Sequence, residues 1–343
     1  ETVCQKQGIS FHSFDDLLLH PPGKTVKSDG KPYTIFTPFY RHASKLKVAA
    51  PSHHKLKNYF TKPISIAKDH QLYKKILPHR SAVQRGGRTN CLKILKNLKK
   101  FSDYRKIRDY PAVATTHLSP HLKFTTCSIR EIYHAILKNL GPRSELIRAL
   151  YWRDFFTSIA FYFPEVFKKA FHSKFNHLHW SYDKKAFKRW CEGKTGFPIV
   201  DAGMRQMNQT GFMHNRVRMI VATFLVKDLH IDWRWGEKYF ARSLVDYDPS
   251  VNNGNWQWTA STGSDAQPYF RIFNPWLQAK KFDPDCAYIK QWVPELSSFS
   301  PKTIHQWYLE ENHRKCSAYP VPIIDHAKES KQAINLYKKA HIN

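Results

Sequence analysis

The stretch HNRVRMIVATFLVKDL, residues 214–229, decides the fold. Its centre, VRMIVATFLV, reads by composition as a strand, because β-branched and large apolar residues dominate it. Two features turn the reading to helix. The apolar run continues well beyond a typical strand of about five or six residues. Arg216 and Arg218 also give it a basic face. On such a helix Asn215, Arg218 and Met219 share one side, so that one face addresses one cavity.

Outward from this stretch the signals stay helical. Upstream, a helix is predicted from about Pro198 to Gly211. Ser144 opens SELIRALYWRDFFTSIAFYF, which Pro164 stops. Ser128 with Glu131 three residues on reads as a capping box for SIREIYHAILKNL, closed by Gly141-Pro142. CLKILKNLKKFSDYRKIRD places Leu92, Leu95 and Leu98 on an amphipathic helix with basic residues between them. Downstream, helices are expected over Gly236–Leu244, around Cys286–Trp292, and through KESKQAINLYKKAHI at the end. Hardly any segment after residue 90 alternates with period two, so the body is read as all-α. Before it, ETVCQKQG reads as a short helix and ISFHSFDDLLL leaves room for a brief strand. PPGKTVKSDGKPYTIFTPF is dense in Pro, Gly and Lys and reads as a linker, followed by a short helix over 39–49.

The balance of charge points to a partner. Fifty-five Lys and Arg against 27 Asp and Glu leave a formal charge of +28. That is far beyond the magnitude of roughly 2–8 that keeps a small domain soluble. A polyanion is the expected partner, nucleic acid first and an anionic membrane surface second. Aromatics make up 15% of the chain, more than a tail coating nucleic acid needs, which implies a large core and stacking surfaces. The six Cys form no CxxC and no Cys/His cluster at zinc spacing, so no metal is expected and the thiols read as reduced. No run of 18 apolar residues spans a membrane, and no secretory signal opens the chain. An intracellular place is the expectation, in the nucleus of a eukaryote or the cytoplasm of a bacterium.

TGFPIVDAGMRQMNQTGFMHNRVRMIVATFLVKDL, residues 195–229, resembles the flavin-binding region of the photolyase/cryptochrome family. The likeness continues through IDWRWGEKYFARSLVDYDPSVNNGNWQWTASTGSDAQPYFRIFNP, 231–275. It includes RDYPAVATTHLSPHLKFTTCSIREIY, 108–133, and YWRDFF, 151–156. It is most like class I cyclobutane pyrimidine dimer photolyases. It implies a helical FAD- and DNA-binding catalytic domain over 76–343, an interdomain segment over 21–75, and in 1–20 only the end of an α/β antenna domain. An antenna chromophore of folate or deazaflavin type belongs to an intact full-length form.

The resemblance also assigns residues. Thr115, Thr116 and Ser119 in TTHLSPHL contact the FAD phosphates, with Tyr104 and Arg153 nearby. On spacing alone these hydroxyls read as a capped turn, although a helix start suits a diphosphate. Asp246 pairs with Arg218 beside the flavin ring, Asp248 faces the adenosine side, and Asn252 lies beside flavin N5. By composition Asn252-Asn253-Gly254 reads as an αL turn. Trp256, Trp233 and Trp180 match the family's chain of three electron-relaying indoles. Trp152 and Trp258 match the aromatic walls that grip an extruded dimer, with Asn215 and Met219 beside it. Arg271 belongs to a basic field that positions the DNA backbone, with Arg216, Lys280, Lys281 and the 84–100 segment as further candidates.

The implied activity is light-driven repair of cyclobutane pyrimidine dimers by electron transfer from reduced FAD. A monomer acting on UV-damaged DNA is expected. The alternative is a cryptochrome-like blue-light receptor without efficient repair. Several positions depart from the family pattern. Ala149 stands where a lesion-binding Glu is common, with Glu145 one turn earlier. Phe212 stands where Trp is common, and Thr125 and Tyr247 where Gly is common. The two His characteristic of (6–4) photoproduct repair have no counterpart in FMHNR.

Overall fold

The computed structural model describes residues 1–13, 15–52, 85–313 and 318–342. Eleven helices of eight or more residues carry the fold among them. They are α1 (Phe36–Ala43), α2 (Arg88–Lys96), α3 (Ile129–Leu140), α4 (Glu145–Tyr162), α5 (Lys184–Glu192) and α6 (Pro198–Thr210). Then follow α7 (Asn215–Thr223), α8 (Trp233–Ser243), α9 (Pro249–Thr259), α10 (Pro275–Phe282) and α11 (His326–Ile342). Among the described residues no strand forms, only isolated bridges at Val26–Pro32 and Ser181–Ile231. The brief strand expected near residues 9–19 is therefore absent from the part of it that is described. The interdomain segment expected over 21–75 falls partly outside the described residues. Its short helix begins at Phe36, three residues before the expected start.

The caps explain why these helices start where they do. Ser144 accepts from the Leu146 amide, Asp232 from Arg234, Asp248 from Val251, and Asn274 from Trp276 and Leu277. Each satisfies an amide that the first turn leaves without an acceptor. The capping box expected at Ser128 is only half made. Ser128 Oγ accepts from the Arg130 amide at 3.2 Å. Glu131 turns instead to Arg88, with both carboxylate oxygens 2.9 Å from its guanidinium. The ion pair ties α2 to α3.

The deciding stretch, 214–229, is helical as its length required, but it is not one uniform helix. α7 passes at Phe224 into a π-helical turn, Phe224–Asp228. Such a turn inserts an extra residue and rotates the side chains that follow. Here it buries Lys227 and Asp228, at 0% and 1% exposure. Lys227 donates to Ser261 Oγ at 3.1 Å and lies 3.4 Å from the centre of the Tyr337 ring. Asp228 meets His326 at 2.5 Å. Both contacts fasten α11 to the body.

A second departure is larger. Asn252-Asn253-Gly254 is not a turn but the middle of α9. Pro249 at the first helical position and Asp248 as cap start that helix just ahead of the three residues. Gly254 is needed for packing and not for a positive φ. A Cβ there would stand 2.1 Å from the Phe156 ring of α4. Gly236 plays the same part in α8, where a Cβ would meet the Trp256 indole at 2.1 Å.

Two apolar clusters result. One gathers α1 to α4 around Leu150, Tyr151 and Phe155. The other gathers α5 to α9 around Trp190, Val221, Phe224 and Trp256. Each large side chain buried there contributes about 1.5–3 kcal/mol. α4 and α9 meet at the seam between the clusters, where Gly254 admits Phe156. The candidate site lies along that seam.

Candidate active site

Four parts of the chain reach the seam through one set of polar contacts. Ser119 Oγ donates to Asp246 Oδ2 at 2.6 Å. Arg218 of α7 donates to both oxygens of Asp246, at 3.1 and 2.9 Å. The Asp246 side chain is only 3% exposed. A buried carboxylate persists there because its charge is matched by the guanidinium. Arg218 also donates from Nε to the Met213 carbonyl at 2.8 Å, which fixes the plane of the fork. Two residues on, Asp248 caps α9 and faces Arg153 of α4 at 3.9 Å. Arg153 donates as well to the Leu17 carbonyl.

Asn252, on the first turns of α9, donates from Nδ2 to the Glu237 carbonyl at 3.1 Å and to Glu237 Oε1 at 3.0 Å. Its Oδ1 is thereby left as an acceptor. Burial raises the Glu237 carboxyl pKa, and the Asn252 hydrogen bond opposes that rise. Glu237 escaped the sequence reading. It lies 15 residues before its partner, and no periodic signal joins them.

Phe212 forms one aromatic side of the site. His117 stacks on it at 4.5 Å and Arg218 lies 5.4 Å from its centre. His117, at φ 51, and Thr125, at φ 47, both occupy the left-handed region. Thr115, half-buried, and Thr116, buried, immediately precede the first of these. A cavity of about 250 Å³ opens beside Phe212, lined also by His121, Phe124, Thr210 and Val245. Tyr104 is half-buried among the residues of the α1–α4 cluster, and burial pushes its pKa up.

The three Trp of the expected relay are placed by continuous structure. Trp256 is 2% exposed, 5.0 Å from Phe240 and 6.3 Å from Trp190. Gly236, on which it packs, is one turn after Trp233 on α8. Trp233 is 1% exposed, with the Arg234 guanidinium 4.8 Å from its ring. Trp180 is half-buried against Tyr337 at 6.4 Å, and its neighbour Ser181 bridges to Ile231. Two of the three indoles are thus buried and the third is half-buried.

The wall residues sit on the two helices that meet at the seam. Trp152 is one turn before Phe156 on α4, and Trp258 one turn after Gly254 on α9. Asn215 is exposed and Met219 half-buried on the same side of α7, with Asn215 Nδ2 and Met219 Sδ 4.0 Å apart. Arg271 is exposed. Arg216 is not free for a phosphate: it pairs with Asp109 at 2.9 Å and lies over Phe282 at 4.5 Å. Glu145 is engaged too, accepting from Arg108 at 2.8 Å, so it does not stand in for a carboxylate at Ala149.

The chain's own contacts leave the site unfinished in a way that suits a nucleotide cofactor. His214 Nδ1 accepts from the Arg216 amide at 3.1 Å, which puts the proton on Nε2. That Nε2 is buried and has no partner, and neither has His117 Nδ1. Burial, foremost, lowers the His214 pKa to about 4. Buried donors and acceptors without partners call for a bound group or ordered water. Hydroxyls at Thr115, Thr116 and Ser119, a cation at Arg153 and the acceptor at Asn252 are the donor and acceptor types that a dinucleotide with phosphates and a heteroaromatic ring requires. Among the described residues no group of three or more His, Cys, Asp or Glu could hold a metal.

Fold and site together define an all-helical protein with two apolar cores and, at the seam between them, unpartnered polar groups that suit a nucleotide. The comparisons agree. Residues 146–339 match the FAD binding domain of DNA photolyase, and residues 1–57 match the DNA photolyase family model. A deoxyribodipyrimidine photo-lyase of Alkalihalophilus pseudofirmus is 41% identical over 98% of this chain and 74% of its own length. The archaeal photolyase of Sulfolobus tokodaii, whose crystal structure holds two FAD molecules, superposes with a TM-score of 0.84 at 42% identity. That match covers 98% of this chain and 74% of its own. A bacterial class III photolyase from Agrobacterium tumefaciens matches with a TM-score of 0.85 at 37% identity, over 100% and 76%. The chain belongs to the DNA photolyase family, and 146–339 are its FAD-binding domain.

Proposed function

We propose that the chain is a deoxyribodipyrimidine photo-lyase that splits cyclobutane pyrimidine dimers in UV-damaged DNA, of the class I type. The observation that carries this reading is the seam itself. Ser119 and Arg218 both bond Asp246, and Asp248, which caps the helix of Trp258, faces Arg153 on the helix of Trp152. FMHNR, which lacks the two His characteristic of (6–4) repair, favours the dimer as substrate.

Thr115, Thr116, Ser119 and Arg153 would hold the diphosphate, Asp248 the adenosine side, and Arg218, Asp246 and Asn252 the flavin ring. When bound and reduced, the flavin supplies the light-driven electron that opens the dimer. The remaining work belongs to side chains. Glu237 takes the Asn252 Nδ2 hydrogens, so that Oδ1 would be free to accept from a proton-bearing ring nitrogen. The pair at Arg218 and Asp246 sets a fixed field around an enclosed carboxylate. Trp152 and Trp258 stack on the extruded bases, each base contributing about 1–3 kcal/mol against an extrusion cost of a few kcal/mol. The +28 charge draws the phosphate backbone without reading sequence.

A second reading, a blue-light receptor without efficient repair, is favoured by one observation. Ala149 offers no carboxylate, and Arg108 occupies Glu145. Retention of a dimer-bearing oligonucleotide in the dark, followed by its release under blue light, tests the first reading. A chain that holds FAD and gives no light-dependent release would support the second.

A further inference from the structure

We propose that Phe36 and Asp265 form a brace between the two aromatic walls, making them positioning residues for the extruded dimer; this rests on the repair reading above.

Phe36 opens α1 and is 1% exposed. Its ring lies over Trp152 with centroids 3.6 Å apart and planes 6° from parallel. Aromatic pairs ordinarily prefer an offset or edge-on arrangement with centroids about 4.5–7 Å apart. So full an overlap is imposed by the surroundings, and they are visible. Tyr40 lies on Phe36 at 5.7 Å and 16°, and the Arg148 guanidinium is 5.1 Å from its centre. Phe155 stands edge-on to both Phe36 and Trp152, at 5.8 and 5.7 Å. Trp152 is thus backed by the Phe36 plane, with the Phe156 ring tilted against it at 5.3 Å, so its orientation is fixed from two sides.

The brace continues through a hydrogen bond. The amide of Phe36, in a first turn where amides lack helical acceptors, donates to Asp265 Oδ2 at 3.0 Å. These residues are 229 positions apart. Asp265 is half-buried, and burial raises its pKa while the Phe36 amide opposes the rise. It belongs to the segment 263–266, which lines a cavity of about 10 Å³ together with Trp258 and Phe156. Gly263 ties that segment back by donating to the carbonyl of Gln257, the residue before Trp258, at 3.1 Å. One connected path therefore runs from Trp152 through Phe36 and Asp265 to the turn beside Trp258. A helix cap alone would not need its acceptor to come from the segment that follows the second wall.

The test uses the full chain with FAD bound, titrated with a duplex carrying one thymine dimer and with the same duplex undamaged. The parent is expected to prefer the dimer. Asp265→Ala is expected to weaken dimer binding about ten-fold, within the range one base stack supplies. Affinity for undamaged duplex and FAD content should stay at parent values. Asp265→Asn, which keeps an oxygen for the Phe36 amide, should recover most of the preference. Phe36→Leu, which keeps apolar volume and removes the plane, should lose it; whichever of the two disruptive variants retains FAD decides the matter. Parent-like dimer preference in Asp265→Ala and Phe36→Leu would overturn the brace, as would an equal loss for damaged and undamaged duplex. A parent without any preference would overturn the repair reading, and the brace with it.

Discussion

Arg218 Nη2 donates to both oxygens of Asp246, and that carboxylate is almost wholly enclosed. Neither residue would be stable there alone. Asp246→Ala leaves the guanidinium without its partner and should cost about 3 kcal/mol. Arg218→Met combined with Asp246→Ala should cost less than the two single changes added together. Denaturant titration of the four proteins measures the coupling, and FAD content should fall in all three variants.

Trp256 fills the core over Gly236, so its replacement tests two roles at once. Trp256→Phe should lower stability by about 1–3 kcal/mol and keep FAD. If the indoles relay electrons, illumination of the oxidised variant with a thiol reductant should no longer reduce the flavin. Unchanged photoreduction would leave Trp256 as a core residue only.

Thr125 sits at φ 47, a strained conformation for a β-branched residue. Thr125→Gly should relieve it and raise stability by about 0.5–1 kcal/mol, after the entropic penalty of glycine. A rise in Tm with unchanged FAD content is the expected result.

Ala149 is exposed on α4, and Glu145 is held by Arg108. Ala149→Glu supplies a carboxylate where relatives that repair dimers commonly have one. It should tighten dimer binding about ten-fold, the effect of one hydrogen bond to a charged group. Arg108→Ala, which frees Glu145, should give a smaller gain.

Asp154 is buried and accepts from the Leu19 and His20 amides. Burial, foremost, raises its pKa to about 7, with the two amides opposing. Its folded pKa lies above its unfolded value. Its contribution is therefore complete below about pH 4 and is lost as pH rises through about 7. Asp154→Asn should flatten the dependence of Tm on pH across that window.

Much of this was legible in the sequence because helices announce themselves locally. Ser144, Pro164, Pro198 and Gly211 sit where the chain enters and leaves its helices. The site was legible only through long motifs, since no spacing joins Ser119 to Asp246 or Asp265 to Phe36. The NNG segment misled because Asn and Gly favour turns. Here Pro249 and Asp248 start a helix ahead of it, and Gly254 answers to the Phe156 ring across the seam. Glu237, Phe36 and the π-turn act through tertiary contacts, and local pattern carries no trace of those.

The most direct measurement is the absorbance at about 260 nm that returns when pyrimidines are released from a dimer. It is followed in a short UV-damaged oligonucleotide with reduced FAD on the protein, under blue light and in darkness. The account predicts recovery in the light alone, abolished in Trp258→Ala although FAD is retained. No recovery in light from a folded, FAD-bearing chain would contradict it.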